Sequence, residues 1–412
     1  MKTICLATTT VAALGILCAC GPASNQPVGL DNSPVVAQRV VTPLGDTLLV
    51  ANMDLIKDTI DFPMSLLLAD LEIIRLDDRE EATIDNVIFH TASPNYIGLY
   101  SFYGGIKLFD KNGNYITDIS KKGQGPNEYL LGPSDILIDE VHDRFYFTGP
   151  GMDKIMVFDL KSNPQKHLPL AKFEELPGRY NTHMKFNIDI ERNRLSIAHV
   201  PFSSEEPAYW TQDLEGNLIQ WLPGKHLTSR RDFSNTLGNN QNTSDIDYCI
   251  GYWFDERVDS LYHYDEKRNR MKPVFTTNMD CISKYHKYIE LPDYYFVYMG
   301  DYGPVVTNTK YILIDKHTLR GSYVHFKLDM LGNIDTGQWV EFDRGNYYRC
   351  MHPAILQEQW QNKEDFSELP PNMAKFMKYL QTHDPEDMNN VVLIGKLKHS
   401  KDDSFTLHDM NY

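Results

Sequence analysis

A period of about fifty residues limits what this chain can fold into more than any other feature does. Five apolar-rich segments end in aspartate: Ile106–Asp110, Ile155–Asp159, Tyr209–Asp213, Leu261–Asp265 and Tyr311–Asp315. The aspartates stand 49, 54, 52 and 50 residues apart. Each opens a turn, most clearly in Asp110-Lys-Asn-Gly113 and Asp213-Leu-Glu-Gly216. Asp caps such a turn with its own side chain, and Gly supplies a positive φ. A second strand follows each turn, as at Asn114–Ile119, Asn217–Leu222 and Ser322–Leu328, so these are hairpins. Another strand pair lies upstream: Asp135–Asp139 with Arg144–Thr148, and Met184–Ile190 with Arg194–Val200.

Four short strands per fifty residues describe a β-propeller blade. One four-stranded sheet cannot bury both of its faces, and stacking blades around an axis buries them against one another. Allowing 20–64 for a tether and N-terminal lead and 353–388 for an insertion leaves room for about six such units in the 412 residues. The expected fold is therefore an all-β, six-bladed propeller over 65–400, with a tail at 401–412. The first blade should run from about Ile84 to Ile119 and the fifth from about Tyr294 to Leu328. The sixth should begin near Gln338 and end with Asn390–Lys398, with Leu67–Leu76 added at ring closure. In the insertion, Met373, Phe376, Met377 and Leu380 fall at helical spacing, which predicts a short amphipathic helix packed on the propeller.

The first nineteen residues read as a signal peptide: Lys2, then an apolar stretch from Ile4 to Leu17 too short to span a bilayer. Leu17-Cys18-Ala19-Cys20 resembles the lipobox of bacterial lipoproteins, which implies cleavage before Cys20 and lipidation of its thiol. The expected location is the cell envelope, anchored to a membrane and favouring the outer one. The remaining cysteines, Cys249, Cys281 and Cys350, show no metal-ligand spacing and read as buried thiols. With 56 acidic against 40 basic residues, the net charge is −16, which argues against nucleic acid as a partner. A monomer is expected.

Gly123-Gln-Gly-Pro-Asn-Glu-Tyr129 follows the first hairpin, Ile106–Ile116, and precedes the strand pair at Asp135–Phe147. Together these resemble the signature and context of the six-bladed β-propeller lipoproteins of Bacteroidetes, distantly related to NHL and TolB-like propellers. That resemblance implies a lipid-anchored propeller and carries no catalytic residues. On the residues themselves, Gly123 and Gly125 are expected to supply unusual φ and Pro126 a fixed one. Glu128 would accept backbone N–H groups, and Tyr129 completes the structural motif.

Neither His-Glu-x-x-His nor Gly-x-Ser-x-Gly occurs. No cofactor is indicated beyond an axial calcium built from Asp, Asn and carbonyl oxygens. The long loops entering the inner strands are read as Lys121–Pro133, Ala171–His183, Pro223–Asp247 and Asn278–Asp293. They should surround one mouth of the axis, where binding residues concentrate. His183, Arg230, Arg231, Trp253 and Tyr294 are the candidate ligand-binding residues there. The basic pair would attract an anionic group and the rings would stack on a sugar. The expected role is non-catalytic recognition or scaffolding for a glycan, a peptide or an envelope protein. The alternative is a hydrolase or lyase with a site on the propeller axis, built on a metal or on an acid–base set drawn from several blades.

Overall fold

The computed structural model describes residues 28–173, 183–230, 235–244, 246–252, 259–279, 284–301, 307–337, 340–360, 369 and 371–398. Four strands precede the first blade: β1 (Ala37–Val41), β2 (Thr47–Ala51), β3 (Thr59–Pro63) and β4 (Glu72–Arg75). Blade 1 is β5 (Val87–Ala92), β6 (Tyr96–Ser101), β7 (Gly105–Asp110) and β8 (Tyr115–Asp118). Blade 2 is β9 (Asp135–Asp139), β10 (Arg144–Thr148), β11 (Lys154–Phe158) and β12 (Leu168–Pro169). Blade 3 is β13 (Met184–Asp189), β14 (Arg194–His199), β15 (Pro207–Gln212) and β16 (Leu218–Pro223). Blade 4 is β17 (Thr236–Gly238), β18 (Asp247–Gly251), β19 (Leu261–Asp265) and β20 (Arg270–Thr277). Blade 5 is β21 (Lys284–Glu290), β22 (Tyr294–Asp301), β23 (Thr307–Asp315) and β24 (Gly321–Leu328), followed by the short β25 (Ile334–Asp335). Blade 6 joins β26 (Glu341–Asp343), β27 (Asn346–Met351) and β28 (Val391–Lys396) to β4. The fold is a six-bladed β-propeller.

Packing explains the number of sheets. The buried apolar side chains of the described residues fall into six clusters, one for each blade-to-blade interface. Tyr100 and Ile106 of blade 1 meet Ile136 and Phe147 of blade 2, and the series closes where Ile74 and Tyr348 of blade 6 meet Leu99 and Phe109 of blade 1. Both faces of each sheet are covered, so strands read as near-continuous apolar runs, as in β11 and β28. The aspartate turns close the third and fourth strands of their blades. Asp110 Oδ1 accepts the Asn112 and Asn114 backbone N–H groups while Oδ2 accepts Asn114 Nδ2. Asp159–Asn163 and Asp213–Asn217 repeat the arrangement.

The ring closes as expected from Leu67–Leu76: β4 pairs antiparallel with β28, Arg75 opposite Val391 and Glu72 opposite Ile394. Two expectations need correction. Much of the 20–64 lead is part of the propeller, because β2 adds parallel to β20 and β3 adds parallel to β24 on the outer edges of blades 4 and 5. Blade 5 begins at Lys284, since β21 is its innermost strand, and Pro223–Asp247 contains the innermost strand of blade 4. The expected helix of the insertion is α2 (Pro371–Leu380), and a further helix, α1 (Pro353–Trp360), precedes it among the described residues. Met373, Phe376, Met377 and Leu380 do bury against blades 5 and 6.

Candidate functional site

In an antiparallel four-stranded blade, the innermost strands run the same way along the axis. One end of the ring therefore carries the connections that enter them, and the other carries the turns that leave them. The entry end is the mouth. Side chains from five inner strands converge on the axis below it, and most are charged.

Asp135, at the start of β9, is 1% exposed. Its Oδ2 accepts the Phe186 N–H of blade 3 at 3.0 Å and the Arg344 Nη2 of blade 6 at 2.8 Å, and Lys185 Nζ lies 3.3 Å from Oδ1. Arg344 also donates to Asp343 Oδ2 at 2.8 Å and to the Phe186 carbonyl at 3.2 Å. One carboxylate thus ties blades 2, 3 and 6 together across the axis. Burial works against its charge, yet Arg344 and Lys185 hold its carboxyl below the ordinary value. Burial likewise opposes the Lys185 charge, and Asp135 and Asp343 more than offset it. Asp343 itself is pushed up by burial.

Two further groups sit outside this knot. His90 of β5 meets Glu341 of β26, with Nδ1 at 3.2 Å from Oε2, and its ring lies 3.8 Å from that of Tyr348. Burial lowers its pKa to about 4, so at neutral pH the imidazole is uncharged, with the half-exposed Glu341 beside it. Lys287 of β21 runs past Gly238, where a Cβ would lie 3.2 Å from its Cε. Its surroundings lower its pKa, first by burial and then by the charge of Lys185. The residue as a whole is partly exposed. Among the described residues no acid lies within hydrogen-bonding distance of its Nζ.

The other end of the axis is closed. The segment 239–244, between β17 and β18, crosses it on side-chain amides. Asn240 Nδ2 donates to the Phe342 carbonyl at 2.8 Å, Gln241 Nε2 to the Phe186 carbonyl at 3.3 Å and Asn242 Nδ2 to the Glu290 carbonyl at 3.1 Å. Asp247 anchors the loop by accepting the N–H groups of Asn240 and Gln241. Behind it, His263 and Lys316 hold Glu290, against the effect of burial, at a pKa of about 2.

Asn239 Oδ1, Asn240 Oδ1 and Asp343 Oδ1 are buried without a hydrogen-bond partner among the described residues. These are oxygen donors of the type calcium takes. The cations of Lys185 and Arg344 stand beside Asp343, however, and no group of three His, Cys, Asp or Glu side chains suited to a metal occurs among the described residues. The donor set does not suit the expected axial calcium.

The candidate residues scatter. His183 immediately precedes β13 at the mouth, and Arg230 is exposed on the connection entering β17. Tyr294 opens β22, the second strand of blade 5, at the opposite end, where its ring packs edge-on against Phe62 at 5.7 Å. The expected meeting of Arg230 and Tyr294 at one mouth is not realised, because the inner strand of blade 5 lies upstream of Tyr294. Cys20, Arg231 and Trp253 lie outside the described residues.

In the glycine motif, neither Gly123 nor Gly125 has a positive φ, contrary to expectation. They are small for another reason: the Glu128 carboxylate folds back over them and accepts the Gly125 N–H at 2.8 Å. A Cβ on Gly123 would lie 2.0 Å from Glu128 Oε2. The Pro126 carbonyl accepts Lys154 Nζ at 3.0 Å, and Tyr129 buries its ring against Tyr100 and Phe147. The motif clamps blade 1 to blade 2.

None of the axial residues was singled out from sequence. The available signal was a charged residue interrupting an inner strand, as Lys185 does between Met184 and Phe186, and Lys287 between His286 and Tyr288.

Residues 65–208 match a protein family described as a 6-bladed beta-propeller, a match that spans the closing strand, blades 1 and 2 and the first half of blade 3. A crystal structure from Bacteroides fragilis, described as that of an exported protein, is similar at a TM-score of 0.52 and 14% identity. It covers 83% of this chain and 100% of that one. A structure from Bacteroides vulgatus aligns at a TM-score of 0.41 and 12% identity over 81% of this chain and 98% of its own. No curated protein sequence matches the chain.

Proposed function

We propose that this propeller is a recognition module of the cell envelope that takes the acidic end of a glycan or peptide at the entry end of its axis. The observation that carries this reading is Lys287: a partly buried lysine on the innermost strand of blade 5, with no carboxylate of its own within hydrogen-bonding distance among the described residues. The other two axial cations, Lys185 and Arg344, are already committed to Asp135 and Asp343. A ligand carboxylate would complete the set, and a charge-assisted hydrogen bond of this kind contributes roughly 1.5–3 kcal/mol. On a glycan array carrying neutral and uronic-acid-terminated oligosaccharides, with acidic peptides alongside, acidic termini should be retained. Lys287→Met should weaken that binding about ten- to hundredfold with the fold unchanged. Retention of neutral sugars only, or equal binding by the variant, would sink the proposal.

A second reading, as a hydrolase or lyase, draws on His90 and Glu341. A neutral imidazole beside a carboxylate at the same mouth is an acid–base pair of the kind such chemistry needs. Release of shortened products from the array by the wild-type chain, lost in Glu341→Gln, would replace the first reading with this one.

Envelope anchoring rests on Cys20 and its lipobox-like context. The first described residues lie against the turn between β23 and β24: Arg320 bonds to the Ser33 carbonyl and the Gly321 N–H donates to Pro34. That turn is at the closed end. Eight residues from Cys20 to Val28 span at most about 28 Å. An acyl chain on Cys20 would hold the closed end towards the bilayer and turn the mouth away from it. Cys20→Ser should move the chain from the membrane fraction to the soluble one, and an unchanged distribution would remove the anchor.

A further inference from the structure

The hairpin of β22 and β23 is longer than the strand that follows it can match. Pairing between β23 and β24 stops at Tyr311–Val324, although β23 begins at Thr307 and β24 runs on to Leu328. Beyond that point the two strands part. β24 is satisfied without its neighbour: β3 covers one edge from Tyr323 to Lys327, and β25 takes the other at Lys327 and Leu328. The Thr336 N–H adds a bond to the Phe326 carbonyl. β23 is not satisfied in the same way. Among the described residues, no backbone hydrogen bond reaches Thr307–Lys310 from the β24 side, and three of these four residues are exposed.

The gap between the parted strands is a groove of about 860 Å³ whose floor includes Tyr311, Tyr323 and Phe326. Its charges are unevenly committed. Asp301 accepts Asn308 Nδ2 at 2.7 Å, and Asp335 accepts Lys327 Nζ at 3.0 Å and the Gly337 N–H. Lys310 lies over the Tyr323 ring at 5.1 Å, and Lys57 stands on the same rim. Neither lysine has a carboxylate within ion-pair distance among the described residues. Asp301 and Asp335 balance the two lysines overall, and the two lysines stand unpaired beside an open strand edge.

We propose that this groove docks an extended acidic peptide segment of another protein, which adds to β23 as a strand along Thr307–Lys310. The free edge supplies main-chain hydrogen bonds, the tyrosine and phenylalanine rings receive every second side chain, and Lys57 and Lys310 meet the acidic ones. A four-residue strand is about 13 Å long, and a groove of this volume falls within the usual range for bound ligands. Unmatched strand edges are otherwise an aggregation hazard, and Lys310 sits where an edge lysine discourages indiscriminate pairing.

The experiment is selection from a phage-displayed random heptapeptide library on the full chain, followed by synthesis of the enriched peptides. Enrichment of Asp or Glu alternating with aliphatic or aromatic residues is expected. N-methylation of alternate peptide amides should weaken binding at least tenfold, and methylation of the intervening ones should change it little. Lys310→Glu should weaken it by a similar factor. In the wild-type chain, hydrogen exchange at Thr307–Lys310 should slow when peptide is added, a readout independent of any variant. No enrichment, N-methylation without a two-residue period, or protection that maps elsewhere would each overturn the proposal.

Discussion

Asp135→Ala is expected to destabilise the ring by about 3–5 kcal/mol, because it leaves the Arg344 and Lys185 cations buried at the axis without the carboxylate that both of them face. The Phe186 N–H loses its acceptor in the same step. Replacing an entire buried ion cluster by apolar groups can be nearly neutral, but deleting one member is not, since the penalty falls on the charges left behind. The effect has a pH signature. The folded carboxyl is held below its ordinary value of 3.8, so its contribution is complete above that value and is lost as pH falls through the folded pKa. Wild type should therefore lose this increment only below about pH 4, whereas the variant lacks it throughout and should show a shallower acid limb. Urea midpoints from pH 7 down to pH 3 provide the check. A variant within about 1 kcal/mol of wild type at pH 7 would mean that the axial charges do not hold blades 2, 3 and 6 together.

Gly113→Ala should cost about 2–4 kcal/mol although it adds a single methyl group. Gly113 has φ +84° at the tip of the aspartate turn between β7 and β8. A Cβ there would stand 1.9 Å from the carbonyl oxygen of Arg75, the last residue of β4. Backbone cannot step aside as the end of a flexible side chain can, and the Asp77 N–H donates to the Gly113 carbonyl at 2.9 Å across the same contact. Blade 1 would have to move away from the closing strand of blade 6. Gly45→Ala is the control: that glycine also has a positive φ, of +83°, but a Cβ there meets nothing within 4 Å. Thermal midpoints lowered equally in both variants would reduce the Gly113 effect to backbone conformation alone.

The hairpins, the blade number and the closing strand were legible because each rests on a local rule. An aspartate at a turn, a glycine three residues on and flanking apolar strands are read within a dozen residues. The helix carrying Met373, Phe376, Met377 and Leu380 is another such case. The inner strands of blades 4 and 5 resemble loops in the sequence for a physical reason. They border a polar axis, so Lys287 and His286 break the apolar run in β21, and β17 has only three residues before the Asn-rich loop. β1 and β2 form a hairpin around Gly45 that is local enough to read, but the places where β2 and β3 join their blades are not, because both join in parallel with no turn to mark the pairing. Glycines 123 and 125 were read as backbone-conformational when what they accommodate is the folded-back Glu128, a contact that depends on the three-dimensional path of the loop. The axial cluster is the least legible part: Asp135, Lys185, Lys287 and Arg344 come from four blades, and no short spacing connects them.

Closing blade 6 with β4 sets the order in which the molecule can be completed. Asp70 and Lys396, which bond across this seam, are 326 residues apart in sequence. Joining ends that distant adds only about 2 kcal/mol of loop entropy over closing a fifty-residue unit, so the seam is inexpensive at equilibrium. Its demand is on timing. During synthesis β4 emerges among the first elements and waits with an unpaired edge until Val391–Lys396 has been made, so the ring stays open for nearly the whole of translation. A chain that stops short of Val391 can form five blades but never a circle.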